Sequence, residues 1–403
     1  MADDLYSFYI KELAEIQQNN QYRFLKTIQT KDDKYVFYNN KKYINLSSND
    51  YLGLATDKED LNNFYSQLNK DNIIDSFGLG STSSRLLTGD FAIYSELENI
   101  ISSLYNKALV SEAGAEPKEK KESLVFNSGY HTNIGVIPTL TKKNDLILSD
   151  QFNHASIIDG TRLSRADCLS YEHLNYGQLD SILKEKRHKY DTVMIISESV
   201  FSMDGDITDI KKLVQLKNKY NTILYIDEAH AVGLFGDIGL GICEREKTVK
   251  DVDIIIGTFG KSLASQGAYA VLNPVLKEYL INNMRTLLYT TALPPVVVNW
   301  NMYNMAKLPS FRIKREKVLA TAQKLRESLI ANGIKTGGES QIVPAIIGDR
   351  EKTLRKSADL QDRNFLVFPI RPPTVPEGTS RIRISLTAII DWEDIQNLAD
   401  IIK

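Results

Sequence analysis

The sequence has little cysteine and no long apolar run, and both features narrow the classes of protein to consider. Its 403 residues include two cysteines, Cys168 and Cys243, which lie far apart and outside any CxxC pair. This number and spacing support neither a disulfide framework nor a zinc site, and they fit a reducing, cytoplasmic environment. No run approaches the roughly 20 apolar residues that a membrane-spanning helix needs, and the charged N-terminus lacks the apolar core of a signal peptide. A soluble protein with no membrane partner is therefore predicted.

An excess of positive charge is also missing. The chain has 49 Lys and Arg residues against 51 Asp and Glu residues, which gives a formal net charge of -2. Because a nucleic-acid surface requires a concentrated basic excess, no nucleic-acid partner is expected. The basic segment KREK at 314–317 lies in a helical stretch, and we interpret it as a solvated helix face.

What the chain does contain is a series of short apolar runs separated by helical stretches. Five of these runs have the length of buried strands and end in polar or glycine residues: SLVFNSG (123–129), DLILSD (145–150), TVMIISES (192–199), TILYIDEAH (222–230) and DIIIGTFG (253–260). Strands that are buried on both faces and alternate with helices predict a mostly parallel sheet in an α/β fold. The polar residues gather at the carboxyl ends of the runs, where open α/β sheets bind ligands.

Three parts of the chain are distinguished by pattern. Residues 1–50 are predicted to form an N-terminal arm, with an amphipathic helix and a strand pair around KYVFYNNKKYINLSS. Residues 51–295 form the large α/β domain of this prediction. Residues 296–403 form a smaller α+β domain with a long helix from about 311 to 332 and a final helix. The low-complexity insert SEAGAEPKEKKE (111–122) is expected to lie on the surface.

A lone lysine, Lys261, follows the last apolar run in the segment TFGKS. Its ammonium group either points into water from a turn, binds a phosphate or takes part in a reaction. A phosphate-binding P-loop, GxxxxGK followed by Ser or Thr, requires glycine at position 255, which is Ile255 in this chain. The remaining chemistry for a partly desolvated lysine is a Schiff base with an aldehyde, and pyridoxal phosphate is the natural aldehyde to test for.

Three residues near other strand ends meet the further demands of pyridoxal phosphate. Asp227 ends the run TILYID, and its carboxylate is expected to share a crevice with Lys261 and to pair with the pyridine nitrogen. His230, three residues later, can reach the phenolic oxygen of the ring. The alternative interpretation of DEAH, a helicase strand end, needs the P-loop that is excluded above. His154 in SDQFNHASIIDG can stack on the ring, although a lone histidine is more often a surface group.

Four more residues offer donors for a phosphate group. Gly129 and Tyr130 in FNSGYHTN lie at a strand-to-helix junction, where free backbone N–H groups bind anions. Ser202 in ESVFSMDGD and Thr258 in GTFGK add hydroxyl groups. Each of these signals is weak alone. Their occurrence together, in strand-end order, indicates a site for a phosphorylated cofactor.

At this point the chain resembles the α-oxoamine synthases, a family of fold-type I pyridoxal-phosphate enzymes. The resemblance covers nearly the whole length, in the segments INLSSNDYLGL, SFGLGSTSSRLLTG, HASIIDG, SVFSMDGD, IDEAHAVGLFGDIGLG, TFGKS and RPPTVPEGTSRIRISLTA. It implies a fold-type I transferase, pyridoxal 5'-phosphate as cofactor, and the decarboxylative condensation of an amino acid with an acyl thioester.

Within that family, the segment IRPPTVPEGTSRIR is most similar to the member that joins L-alanine to a pimeloyl thioester in biotin biosynthesis. A sister enzyme that uses glycine and acetyl-CoA stays as the alternative. A non-catalytic scaffold subunit of the same fold is a distant third possibility, because Lys261, Asp227, His154 and His230 are all present.

The resemblance also implies a role for each matched cofactor residue. Lys261 would bond the cofactor aldehyde and later act as the base, and Asp227 would pair with the pyridinium nitrogen. His230 would bond the phenolic oxygen, and His154 would stack on the ring. The remaining residues implied to hold the cofactor are Gly129, Tyr130, Ser202, Thr258, Thr290 and Thr291.

Substrate and partner residues follow from the same resemblance. Arg383, assisted by Asn49, would bind the amino-acid carboxylate, and Arg23 and Thr374 would bind the acyl substrate, which rides on CoA or on an acyl carrier protein. The family forms homodimers with each active site at the subunit interface. The segment RTLLYTTALPP (285–295) resembles the part that crosses over, so that Tyr289, Thr290 and Thr291 would serve the phosphate of the neighbouring subunit.

Overall fold

The structure is a computed structural model that describes residues 5–19, 21–23, 25–109 and 120–403. The helices in these ranges, labelled in chain order, are α1 (Ser7–Gln18), α2 (Lys58–Lys70), α3 (Ile73–Phe77), α4 (Ala92–Lys107), α5 (Gly129–Leu140), α6 (Ala155–Leu163), α7 (Tyr176–Lys186), α8 (Ile210–Tyr220), α9 (Ile242–Arg245), α10 (Pro274–Asn283), α11 (Arg285–Leu288), α12 (Pro295–Lys307), α13 (Arg312–Ala331), α14 (Arg350–Asp362), α15 (Trp392–Ile395) and α16 (Leu398–Ile402). The strands are β1 (Ile28–Asp32), β2 (Tyr35–Tyr38), β3 (Lys41–Asn45), β4 (Glu122–Phe126), β5 (Leu146–Asp150), β6 (Asp167–Tyr171), β7 (Val193–Glu198), β8 (Ile223–Asp227), β9 (Ile254–Thr258), β10 (Ala268–Leu272), β11 (Ile342–Gly348), β12 (Phe365–Leu366), β13 (Pro369–Ile370) and β14 (Ser380–Ser385).

The large sheet confirms the predicted α/β class. Its strand order is β4-β10-β9-β8-β7-β5-β6, with β10 antiparallel to both of its neighbours and the other pairs parallel. The five apolar runs of the sequence form β4, β5, β7, β8 and β9. Every residue of β5, β7 and β9 is buried, as expected for strands that are covered by helices on both faces. Parallel pairing therefore brings the carboxyl ends of β5, β7, β8 and β9 to one edge.

The described residues also form two smaller sheets, and one of them joins the two ends of the chain. In one, the arm strands β1, β2 and β3 continue into the C-terminal strand β12, which runs parallel to β3. The predicted strand pair of the arm is therefore present and is extended by β1. In the other, β11, β14 and β13 form an antiparallel sheet that carries Arg383. The domain limits at residues 50 and 295 stay a prediction.

The long helix predicted at about 311–332 is α13, but two local predictions in this region were wrong. The single final helix is two short helices, α15 and α16. Arg315 of the KREK segment does not face solvent, because it is 3% exposed and donates to the carbonyl oxygens of Leu308 (2.8 Å) and Asp237 (2.6 Å). A run of charged residues does not reveal that one member of the run lies on the packed face of the helix.

Two further predictions concern the insert at 111–122 and membrane-spanning helices. Residues 111–119, which make up most of the insert at 111–122, lie outside the described residues. Among the helices of the described ranges, we find none with the length and apolar character needed to cross a membrane.

Candidate active site

Lys261 lies directly after β9, at the edge of the sheet where the parallel strands end. The pKa of its amine is lowered from 10.5 to about 8, chiefly by burial and further by the charge of Arg383, while Asp227 and Glu198 act in the opposite direction. An appreciable fraction of the amine is therefore neutral near pH 7 to 8, as a nucleophile or a base requires. The turn-lysine interpretation does not fit this environment.

Asp227 ends β8 and is 5% exposed. Its carboxylate accepts hydrogen bonds from Asn133 Nδ2 (2.8 Å) and from the backbone N–H of Ala229 (2.9 Å). Asn133 also donates to Ser156 Oγ (2.9 Å) and accepts from the hydroxyl of Tyr225. With its polar atoms engaged, Asn133 fixes the orientation of the buried carboxylate. Sequence reasoning did not single out Asn133.

His230 is 4% exposed, and its Nδ1 lies 2.7 Å from the hydroxyl of Tyr51. Burial is the main cause that holds its pKa well below 6.5, and the positive charges of Lys261 and Arg383 add to the effect. The ring is thus a neutral imidazole at neutral pH. The charge of Lys261 acts on His230, so the two side chains lie near each other, and the bond of His230 to a phenolic oxygen stays a prediction.

His154 precedes α6 and caps it, because its Nδ1 accepts the backbone N–H of Ser156 (3.2 Å). Its side chain is exposed to solvent. The pKa of His154 is lowered by its partial burial and by the charge of Lys261, whereas Asp227 raises it. The structure therefore brings His154 within electrostatic reach of Lys261 and Asp227, even though 73 residues or more separate it from them in sequence.

Glu198 is a buried acid in this site that the sequence reasoning missed. It ends β7, is 2% exposed, and accepts the backbone N–H of His154 through Oε1 (2.6 Å). Burial and then the charge of Asp227 raise its pKa to about 8, although Lys261 opposes them. The available signal was an acid near the end of the run TVMIISES, whose centre is apolar.

The predicted phosphate donors are only partly brought together. Gly129 begins α5, where the first N–H groups of a helix have no partner within it, and a Cβ built on Gly129 would lie 4.0 Å from Thr258 Oγ1. Thr258 donates its hydroxyl proton to the carbonyl of Gly267 (3.1 Å). The Tyr130 side chain is exposed and its hydroxyl donates to Asp159, so that its backbone N–H is what remains for an anion.

Arg383 on β14 is held in a fixed orientation by four acceptors. Its Nε donates to the carbonyl of Ser202 (2.5 Å) and its Nη1 to Ser385 Oγ (2.6 Å). Its Nη2 donates to Asn49 Oδ1 and to the hydroxyl of Tyr51, both at 3.3 Å. The structure therefore places Ser202 and Asn49 beside Arg383, and the role of Asn49 in binding a carboxylate stays a prediction.

Arg23 and Thr374 line one cavity of about 710 Å³ between the arm and the C-terminal part of the chain. Thr374 also lines a second cavity of about 810 Å³, which contains His154 and Ser202. Two further arginines, Arg350 and Arg371, line the first cavity. Burial lowers the pKa of Arg371, and the charges of Arg350 and Arg23 lower it further, so the three guanidinium groups form a basic cluster.

Thr290 and Thr291 follow α11 and contact Asn127 within the same chain. The side-chain amide of Asn127 donates to the carbonyl of Thr291 (2.6 Å) and to Thr290 Oγ1 (3.4 Å). Tyr289 beside them is 69% exposed. That Tyr289, Thr290 and Thr291 bind the cofactor phosphate of a neighbouring subunit stays a prediction.

Comparison with known proteins confirms the resemblance. The model of the family "Aminotransferase class I and II" matches residues 41–402. The 8-amino-7-oxononanoate synthase of Chlorobaculum parvum is 43% identical over 96% of this chain and 96% of that protein. A putative 8-amino-7-oxononanoate synthase of Haemophilus influenzae is 44% identical over 96% of this chain and 97% of that protein.

Two solved structures extend the comparison to the fold. The serine palmitoyltransferase of S. paucimobilis, solved with PLP and myriocin bound, is 27% identical, with a TM-score of 0.86 over 99% of this chain and 97% of that chain. The 8-amino-7-oxononanoate synthase of Francisella tularensis is 26% identical, with a TM-score of 0.73 over 89% of this chain and 96% of that chain. The predicted fold-type I transferase fold is confirmed. The chain belongs to the aminotransferase class I and II family, among the α-oxoamine synthases.

Proposed function

We propose that this chain condenses L-alanine with a pimeloyl thioester to form 8-amino-7-oxononanoate in biotin biosynthesis. The new carbon–carbon bond joins the α-carbon of alanine to the thioester carbonyl carbon, and the thiol and carbon dioxide leave. The relatives named above support this substrate pair. The observation that carries the chemistry is the grouping of Asp227 and Arg383 around Lys261, on whose amine both of their charges act.

The residues of the site fit pyridoxal 5'-phosphate as cofactor. Asp227 offers a buried carboxylate held by two N–H donors, which suits a pyridinium nitrogen. Lys261 offers an amine of lowered pKa for the aldehyde, and the start of α5 at Gly129 offers backbone N–H groups for the phosphate. When bound, the cofactor supplies an electron-withdrawing ring that stabilises negative charge on the carbon next to the amino group.

The protein's own groups bind and orient the amino acid. Arg383 pairs with the carboxylate of L-alanine, because a guanidinium group held by four acceptors presents its one remaining N–H, on Nη1, in a defined direction. Lys261 Nζ accepts the proton from the α-carbon of alanine, for which a pKa of about 8 is well matched to neutral pH. His154 is exposed and lines the cavity of about 810 Å³, where it orients the incoming acyl group.

The basic cluster of Arg23, Arg350 and Arg371 supports a dicarboxylic acyl donor. A pimeloyl chain ends in a second carboxylate, whereas an acetyl group has none. Guanidinium groups bind carboxylates with charge-assisted hydrogen bonds, and several of them in one cavity fix the position of the chain end. The carrier of the thioester, whether CoA or an acyl carrier protein, contacts the outer surface in either case.

We further propose that the enzyme is a cytoplasmic homodimer. Helix α1 has no buried residue in the isolated chain, and the large side chains Leu79, Leu87 and Tyr289 are exposed. Contact with a second copy would bury these groups and would bring Thr290 and Thr291 near the neighbour's phosphate. Sedimentation of the purified protein at twice the mass of the chain is the expected result.

The substrate assignment is tested with purified protein reconstituted with pyridoxal 5'-phosphate. Incubation with L-alanine and pimeloyl-CoA should release free thiol and yield 8-amino-7-oxononanoate, identified by mass spectrometry. Acetyl-CoA with glycine should give little thiol. The reverse preference would assign the chain to the glycine-dependent alternative, and a Lys261→Ala variant that turned over at the normal rate would refute the chemistry.

The role of the basic cluster is tested with a pair of matched acyl donors. Heptanoyl-CoA has the same chain length as pimeloyl-CoA but lacks the terminal carboxylate. Arg23→Gln should raise the KM for pimeloyl-CoA about tenfold and leave the KM for heptanoyl-CoA nearly unchanged. The exposed Arg355 provides a control, since Arg355→Gln should change neither value. Equal effects of Arg23→Gln on the KM values of both donors would show that Arg23 does not bind the terminal carboxylate of the pimeloyl chain.

A further inference from the structure

His173 lies between two carboxylates from different parts of the chain. Its Nδ1 is 2.9 Å from Asp150 Oδ1, and its Nε2 is 3.3 Å from Asp206 Oδ2. The imidazole is 13% exposed and the Asp150 side chain is fully buried. His173 was not singled out from the sequence, and none of the roles described above uses it.

Each carboxylate belongs to a loop that carries residues of the active site. Asp150 ends β5 and opens the loop 150–154, which ends in His154, and it also accepts the backbone N–H groups of Phe152 (2.9 Å) and Leu174 (3.0 Å). Asp206 closes the loop 201–206, in which the Phe201 N–H donates to the carbonyl of Asp206 (3.0 Å). This second loop carries Ser202, whose carbonyl orients Arg383.

The ring of His173 also supports the wall of the cavity that contains His154. It stacks on Phe152 at a centroid distance of 4.6 Å and an angle of 27°, and it meets Phe201 edge to face at 4.4 Å and 88°. Both phenyl groups line the cavity of about 810 Å³ together with His154 and Ser202. One side chain thus contacts both loops through hydrogen bonds and through aromatic packing.

We propose that His173 is a positioning residue that ties the loops 150–154 and 201–206 together and so fixes His154 and the Ser202–Arg383 pair for the reaction. The inference rests on the proposed function, because it assigns the purpose of these loops to that reaction. His173 itself touches no reacting atom. Its effect is transmitted through Asp150 to His154 and through Asp206 to the carbonyl that holds Arg383.

His173 contacts Asp150 through Nδ1 and Asp206 through Nε2, and we call this pair of hydrogen bonds the bridge. The bridge requires a doubly protonated imidazole ring. Ionised carboxylates only accept hydrogen bonds, so both ring nitrogens must donate. Burial lowers the pKa of His173, but the hydrogen bonds and charges of Asp150 and Asp206 outweigh it and raise the pKa to about 9. Asp150 approaches from β5 and Asp206 from the loop before α8, and Tyr176 on the following helix lies within reach of the Asp150 charge. Loss of the proton at alkaline pH would break one arm of the bridge.

The first test measures the bridge directly. In the holoenzyme labelled with ¹³C-histidine, one imidazole resonance should titrate near pH 9, and it should be missing from His173→Gln. Asp206→Asn removes one of the two negative charges, so the same resonance should titrate at least one pH unit lower. An imidazole of His173 that titrates near 6.5 in the wild-type protein overturns the proposal, whatever the activity.

The second test measures the consequence for the site. His173→Gln and His173→Phe should lower kcat/KM for L-alanine by about 10- to 100-fold, because a displacement of about 1 Å in a positioned group has effects of that size. The exposed His188 provides the control, and His188→Gln should stay within twofold of the wild type. In Asp206→Asn, the loss of activity at alkaline pH should shift to lower pH together with the titration of His173.

The outcomes separate the two proposals. If the wild-type holoenzyme shows no turnover with alanine and pimeloyl-CoA, the proposed function fails while the histidine titration still decides whether the bridge exists. If His173→Gln folds and keeps wild-type kinetics, the positioning role is wrong. Should the His173 variants fail to fold, Asp206→Asn decides the question. If the loss of its activity at alkaline pH does not shift together with the titration of His173, the positioning role of His173 is wrong.

Discussion

Glu198 and Asp227 are register partners at the carboxyl ends of the adjacent parallel strands β7 and β8. Both carboxyl groups are buried beside Lys261. Two neighbouring buried acids cannot both ionise without a large cost, and here burial together with the charge of Asp227 raises the pKa of Glu198 to about 8. At neutral pH the Glu198 carboxyl group therefore keeps its proton and adds no second negative charge beside Asp227.

The first prediction concerns Glu198→Gln. Between pH 4.5 and about 8 the unfolded chain loses the Glu198 proton while the folded protein keeps it, so this group's contribution to stability is lost as the pH rises through that range. Glutamine has the same shape and no proton to lose. The variant should therefore match the wild type near pH 4.5 and exceed it by on the order of 3 kcal/mol at pH 7 in urea unfolding. A stability difference that is the same at both pH values contradicts the prediction. The exposed Glu185 serves as control, since Glu185→Gln should show no such dependence.

The second prediction concerns Lys261→Met in protein stripped of cofactor. The pKa of Lys261 falls from 10.5 in the unfolded chain to about 8 in the folded protein, so that below pH 8 the folded state bears the cost of a buried ammonium group. Methionine removes that cost and keeps the apolar stem. The variant should be inactive and more stable than the wild type by about 3 kcal/mol at pH 7, and this gain should shrink as the pH rises from 8 to 10.5. Thermal unfolding at pH 7 and pH 10 measures the change, and an equal gain at both would count against the lowered pKa.

The third prediction concerns Asn133, which orients Asp227. Asn133→Ala leaves the carboxylate short of one donor and leaves the buried hydroxyl of Tyr225 without its acceptor. Unsatisfied buried groups cost about 1–3 kcal/mol each, so the free energy of unfolding should fall by roughly 2–4 kcal/mol. Affinity for pyridoxal 5'-phosphate, followed by its absorbance, should fall about tenfold. The exposed Asn282 gives a matched variant, Asn282→Ala, which should change the cofactor affinity little. Unchanged cofactor affinity in Asn133→Ala would show that Asp227 needs no such support.

The fourth prediction concerns Arg383→Lys. Lysine keeps the charge, but its single ammonium group cannot reproduce a fork that contacts Ser202, Ser385 and Asn49 at once. The KM for L-alanine should rise about 10- to 100-fold, while the KM for pimeloyl-CoA should change less than threefold. The exposed Arg162 is the control, and Arg162→Lys should leave both values unaltered. Equal increases in both KM values would mean that Arg383 does not distinguish the two substrates.

Much of the site was predictable because the strands of a parallel sheet are easy to locate in the sequence. Strands β7, β8 and β9 are buried on both faces, so they appear in the sequence as continuous apolar runs whose ends are easy to locate. Parallel pairing then places all of their carboxyl ends together, and polar residues such as Asp227 can be assigned to one crevice without knowledge of the strand order.

The residues that were missed depend on packing that no local pattern reveals. His173 and Asp206 are 33 residues apart, and nothing in either segment indicates that their side chains meet. Asn133 lies 94 residues from Asp227. Arg315 lies in a run of charged residues, and whether it points to solvent or to the carbonyls of Leu308 and Asp237 depends on how α13 rotates against its neighbours.

The amino-acid sequence by itself determined the α/β class, the strand ends and the chemical types gathered there, including the lysine and the aspartate, because each of these is a property of a short apolar run and the residue that follows it. Only the tertiary structure decided which groups are charged. The protons on Lys261, Glu198 and His173 depend on burial and on the sign of the nearest neighbour, and both are fixed by contacts between segments that are distant in the chain.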